Sequence, residues 1–130
     1  MKRRLKIFII AGEASGDRLG ANLMRALKEK HADIEFSGVG GMQMAEAGLQ
    51  SLFPMQDLSV MGLAEVLPRL LKIWARLRQT VNAVLRLKPD VVVTIDSPDF
   101  SFRVVERVKK NSPGTPCVHY VAPSVWAWRP

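Results

Sequence analysis

Residues 5–12 (LKIFIIAG) and 89–96 (PDVVVTID) carry two short apolar runs rich in β-branched side chains. Neither shows the strict polar–apolar alternation of a strand with one wet face. Such runs suit strands covered on both faces, which occur in parallel sheets with helices packed above and below. The segments between and after them support that reading. Asp17 to Lys30 has helical spacing, with Leu19, Leu23, Ala26 and Leu27 on one stripe. IEFSGVGG (34–41) reads as a second strand, MQMAEAG (42–48) as a short helix with a glycine stop, and SLFPMQDLS as a connection. A long helical region runs from about Val60 to Leu87, which Pro68 is expected to kink or divide. PDFSFRVVERVKK (98–110) follows as a helix and PCVHYVAP (116–123) as a last strand. Strands alternating with helices predict a doubly wound, mainly parallel Rossmann-like α/β sheet.

At 130 residues the chain is expected to be one domain with a real core, 1–130. Its ending, VWAWRP, brings two tryptophans and no closing helix, so a further element or domain is expected to follow. The basic start, MKRR, does not make a signal peptide, because Lys6 interrupts the apolar run and Glu13 follows it closely. No apolar run approaches the ~18 residues of a transmembrane helix. The lone Cys117 has no internal disulfide partner, which suits a reducing cytoplasm. A formal charge of +7 favours anionic partners: nucleic acid, acidic lipid or phosphorylated small molecules. No basic-aromatic β platform typical of RNA binding is visible, nor a metal-ligand cluster or nucleophile elbow.

In an open parallel sheet, ligands bind at the carboxyl ends of strands near the point where strand order reverses. The first such loop, AGEASGDRLG (11–20), is neither a P-loop nor GxGxxG, and Glu13 and Asp17 would repel a pyrophosphate. It suits an ordinary turn in which Ser15 or Asp17 caps the next helix, or a loop that hydrogen-bonds hydroxyl-bearing ligand groups. Asp96 ends the strand at 89–96 and belongs at the same edge. It fits either a general base or a structural hydrogen-bonding group. Asp99 is explained by the first turn of the following helix, where Pro98 suits the first helical position.

The region 60–88 carries a second signal. Leu63, Val66, Leu67, Leu70, Leu71, Trp74, Leu77 and Val81 form one stripe. Arg69, Lys72, Arg76, Arg78, Arg86 and Lys88 fill much of the rest, with Glu65 the only acid between Leu58 and Pro89. This suits a core-facing amphipathic helix, or one lying on an anionic membrane through Leu67, Arg69, Leu70, Leu71, Lys72, Trp74 and Arg76. His119 is expected to be a satisfied structural residue.

Five stretches together closely resemble the N-terminal part of the bacterial lipid-A-disaccharide synthase family: AGEASGDRLGANLMRALK (11–28), FSGVGGMQM (36–44), LSVMGLAEVLPRL (58–70), KPDVVVTIDSPDF (88–100) and VHYVAPSVWAWR (118–129). The resemblance implies the N-terminal, acceptor-side domain of an inverting, metal-independent glycosyltransferase of the GT-B arrangement, needing no cofactor. Its implied substrates are UDP-2,3-diacylglucosamine and 2,3-diacylglucosamine 1-phosphate, with UDP released. It also implies a peripheral protein on the cytoplasmic face of the inner membrane, with no nucleic-acid partner. By the ID-x-PDF motif Asp96 becomes the implied general base. Gly12, Glu13, Ser15, Gly16, Asp17 and Asp99 become the implied substrate-binding set. The family's C-terminal, donor-binding domain is not within these residues, and the 130-residue chain alone is expected to be inactive or nearly so. Two other readings compete: a stand-alone nucleotide-binding Rossmann domain, and a non-catalytic membrane-surface module built on 60–88.

Overall fold

The computed structural model describes residues 4–58, 66–96 and 98–120. Within them the order is β1 (Leu5–Ala11), α1 (Ala14–Lys30), β2 (Ile34–Val39), α2 (Met42–Glu46), a 3₁₀ turn (Met55–Leu58), α3 (Val66–Leu87), β3 (Val91–Ile95), α4 (Pro98–Asn111) and β4 (Cys117–Tyr120). The four strands form one all-parallel sheet in the order β2-β1-β3-β4. The expected parallel α/β architecture is therefore present.

Residue alternation along the buried strands explains why their sequences do not alternate in polarity. Ile7, Ile9 and Ala11 of β1 join Val93 and Ile95 of β3 against Ala21 and Met24 of α1 and Met44 of α2. Phe8 and Ile10 point the other way, with Val92, and pack against Leu77, Val81 and Val84 of α3 and Phe100, Val104 and Val108 of α4. Both faces are core, so the central strand positions are nearly all apolar, and the buried exception, Thr94 of β3, is paired with His119. Each fully buried Ile, Phe or Met contributes roughly 1.5–3 kcal/mol relative to exposure. The sheet is held from two sides, as a doubly wound fold requires.

Three expectations need correction. Helix α1 begins at Ala14, three residues before the expected start, so Ala14 to Asp17 are its first turn rather than loop. Neither Ser15 nor Asp17 caps it, because Glu13 occupies the cap position in extended backbone, without a side-chain capping bond. Helix α3 is continuous from Val66 to Leu87 and Pro68 does not divide it. Proline in a first turn removes an N–H that has no intrahelical acceptor, so the helix tolerates it. Positions 59–65, including Leu63, lie outside the described residues.

Candidate active site

Strand β1 lies between β2 and β3, so the chain leaves β1 toward one side for β2 and returns on the other for β3. The switch point is therefore the carboxyl end of the β1–β3 pair. Ala11 and Ile95 are register partners there. The next residue on each chain is Gly12 on one and Asp96 on the other. Neighbouring strands stand about 5 Å apart, so these two positions flank one crevice mouth.

The first turn of α1 closes one side of that mouth. Gly16 sits so near the strand ends that an added Cβ would lie 3.3 Å from Ala11 Cβ and 3.5 Å from the Ile95 carbonyl oxygen. Its lack of a side chain serves close helix–strand packing. Glu13 and Ser15, by contrast, are exposed. Glu13 contributes its carbonyl to the Asp17 N–H at 2.8 Å, which begins the helix.

Asp17 has a different task from the one expected of a cap. It is only 5% exposed, and its two carboxylate oxygens accept three backbone N–H groups: Gly41 at 2.9 Å, Gln43 at 3.0 Å and Met44 at 3.0 Å. It thus caps α2 from α1 and ties the turn after β1 to the Gly40-Gly41 turn after β2. The same α1 helix grips the other end of α2, where Lys28 Nζ donates to the Ala47 carbonyl. An anion at the N-terminus and a cation at the C-terminus match the dipole of this short helix.

Asp96 follows β3 directly in left-handed backbone, φ +48°. Side-chain-bearing residues rarely adopt that region, although aspartate and asparagine are enriched among those that do. Its N–H donates to the Tyr120 carbonyl at 3.2 Å, and its carbonyl accepts the Ser101 hydroxyl at 3.0 Å. The side chain is partly exposed. Asp99 is exposed in the first turn of α4, as its spacing from Pro98 implied. Thr94, buried in β3, pairs with His119 Nδ1 at 2.7 Å, and the His119 ring lies 5.0 Å from that of Phe102. His119 therefore has a hydrogen-bond partner in β3 and a ring neighbour in α4.

The basic helix divides along its length. Leu77, Val81 and Val84 are buried, whereas Leu70, Leu71, Lys72 and Trp74 are exposed. Arg76 does not join that surface. Its guanidinium pairs with Asp57 at 2.7 and 2.9 Å, bonds Gln79 at 2.9 Å and covers the Phe53 ring. Lys72 reaches the other Asp57 oxygen at 3.3 Å. Desolvation pushes the Asp57 carboxyl up, but the bonds and charges of Arg76 and Lys72 outweigh it and hold the group below its ordinary range. The Arg107 guanidinium lies 5.5 Å above the Trp74 ring and links α4 to α3. The side chains of Leu67 and Arg69, and residues Val125, Trp126 and Trp128, lie outside the described ones.

Sequence reasoning missed Ser101 and the Asp17–α2 contact. Position was the available signal for Ser101: a small polar residue stands where an apolar one commonly packs against the approach to a helix.

Residues 7–130 match the family model described as lipid-A-disaccharide synthetase. The chain is 60% identical over 127 residues to the lipid-A-disaccharide synthase of Rhodospirillum centenum, 97% of this chain and 32% of that protein. It is 55% identical over 128 residues to the synthase of Ruegeria pomeroyi, 98% of this chain and 32% of that protein. It is 54% identical over 126 residues to that of Nitrobacter hamburgensis, 96% of this chain and 32% of the relative. The chain thus spans about a third of the length of the curated relatives it matches.

Proposed function

The chain belongs to the lipid-A-disaccharide synthetase family, and from that premise we propose that it forms the acceptor side of a glycosyltransferase joining UDP-2,3-diacylglucosamine to 2,3-diacylglucosamine 1-phosphate. The observation that carries this reading is the placement of Asp96. It stands at the switch-point end of β3, one residue past the Ala11–Ile95 pair and opposite the turn that leads into α1.

In the proposed reaction the Asp96 carboxylate accepts the proton of the acceptor's 6-hydroxyl. The freed oxygen attacks the anomeric carbon of the donor sugar from the face opposite the UDP. The bond from that carbon to the UDP oxygen breaks, UDP leaves with the electron pair, and the configuration inverts. A base aligned with the hydroxyl raises its nucleophilicity as the donor acquires oxocarbenium character. Glu13 and Ser15, exposed beside Gly12, orient acceptor hydroxyls, with Asp99 available across the mouth. Asp17 and Gly16 contribute by packing the turn that carries them. Donor contacts come from a C-terminal domain in the part of the relatives that this chain does not span.

The exposed apolar residues of α3 favour the peripheral location as well. Leu70, Leu71 and Trp74, flanked by Lys72, form the membrane-contact surface on the cytoplasmic face of the inner membrane, and Arg76 is no part of it.

Asp96→Asn tests the chemistry in a full-length synthase carrying residues 1–130. Asparagine also tolerates left-handed backbone, so the fold is retained. Turnover should fall about 10²–10⁴-fold with KM within a few-fold. Normal turnover would end the general-base assignment.

A further inference from the structure

We infer that Ser101 is a positioning residue for Asp96, holding the base in the backbone conformation from which its carboxylate reaches the acceptor; this rests on the general-base reading above. A left-handed residue with a side chain persists where its surroundings fix it, and such residues concentrate at functional sites. Among the described residues, two hydrogen bonds hold Asp96. One is a β4 contact, from the Asp96 N–H to the Tyr120 carbonyl at 3.2 Å. The other is the Ser101 hydroxyl to the Asp96 carbonyl at 3.0 Å.

The second bond has an unusual origin. Ser101 is the fourth residue of α4, and Asp96 stands two residues before that helix begins. Apolar side chains at these two positions commonly pack together and fix the angle at which a chain enters a helix. Here a hydroxyl–carbonyl bond takes that place. Ser101 is fully buried, between the core residues Phe100 and Val104, so its hydroxyl cannot turn to water. A serine inside a helix usually satisfies itself on its own helix. Ser101 reaches past the start of α4 to the residue that follows β3.

Losing this bond frees the Asp96 carbonyl from its tie to α4. The backbone then relaxes toward commoner dihedrals, and the Cα–Cβ direction turns with it. The carboxylate moves relative to the crevice while the rest of the site stays in place. A displacement of about 1 Å can cost on the order of 10²-fold in rate.

The test is a double-mutant cycle in a full-length synthase carrying residues 1–130, assayed for disaccharide formation with both acylated substrates. Ser101→Ala should lower kcat roughly 10- to 100-fold with KM within about twofold. In an Asp96→Asn background, where no base remains to be positioned, Ser101→Ala should change the residual rate by less than about twofold. Ser101→Cys, similar in size and a poorer donor, repeats the measurement should the alanine variant not fold. Full kcat in Ser101→Ala or Ser101→Cys, beside an Asp96→Asn enzyme with little turnover, would overturn the positioning role and leave the base intact. An equal loss in both backgrounds would also overturn it, because Ser101 would then act independently of Asp96. Normal turnover of Asp96→Asn would remove the general base and this role with it.

Discussion

Asp17, in the first turn of α1, accepts the backbone N–H of Met44 in α2 at 3.0 Å, and the same carboxylate takes the N–H groups of Gly41 and Gln43. A helix of five residues cannot hold itself together in water, since its hydrogen bonds barely repay nucleation. Asp17 supplies what α2 lacks. Asp17→Ala leaves these donors without the carboxylate and should cost about 3 kcal/mol. Urea unfolding of the variant measures the loss. Hydrogen exchange should quicken first at Gly41, Gln43 and Met44, before the amides of β1 and β3 respond.

The glycines separate by what a side chain would strike. At Gly38, φ is +138° and an added Cβ would lie 1.8 Å from the Ile9 carbonyl oxygen, which is backbone of the neighbouring strand. At Gly20 the nearest atom is Met44 Sδ at 2.6 Å, the middle of a flexible side chain. Gly38→Ala should therefore cost 4 kcal/mol or more, roughly, and yield little folded protein. Gly20→Ala should cost about 1–2 kcal/mol as Met44 shifts rotamer. Thermal unfolding of the two variants checks the order, and a milder Gly38→Ala would contradict it.

The parallel sheet was legible because Ile7 to Ala11 and Val91 to Ile95 face core on both sides, which leaves an apolar record in the sequence broken only at Thr94. The sheet edge carrying Asp96 followed from the same pattern. The start of α1 was not legible. Ser15 and Asp17 have the composition of caps, but Asp17 spends its carboxylate on α2, a contact 24 to 27 residues away. Pro68 misled for a related reason, since proline breaks a helix interior and suits its first turn, and which applies depends on where the helix begins. Arg76 has the spacing of a surface cation, yet Asp57 draws it into the protein. Long-range pairing of polar groups leaves no periodic trace along the chain.

Asp57 gives the fold a dependence on acid. Its folded-state carboxyl is held below the ordinary range, so its unfolded form binds a proton more readily. The stabilisation is therefore complete above about pH 4, the ordinary aspartate range, and is lost as pH falls through the lowered folded value. Asp57→Asn should cost about 1–2 kcal/mol at neutral pH, with Arg76 left half-buried without its counter-charge. At about pH 2.5 the difference from the parent chain should shrink. Urea unfolding at the two pH values decides it, and a pH-independent difference would mean that packing on Phe53, not charge, holds the cluster.

The proposed membrane surface can be tested apart from the fold because its apolar members are not core. Leu70 and Leu71 are 45% and 63% exposed, so replacing both with serine should change stability by no more than about 0.5 kcal/mol each. Trp74 is a poorer choice, since it also carries the Arg107 contact between α3 and α4. Arg76→Glu would break the Asp57 cluster and confuse binding with folding. Flotation with phosphatidylglycerol vesicles should retain the parent chain and weaken at least about tenfold for Leu70→Ser/Leu71→Ser, the loss expected when leucine side chains no longer enter the interface. Lys72→Gln, which also removes the 3.3 Å contact to Asp57 but leaves the Arg76 pair in place, should weaken binding less, and raised salt should mask its effect, because an exposed cation acts through a screened field. Undiminished flotation of the double serine variant would place membrane contact elsewhere than on the exposed leucines of α3.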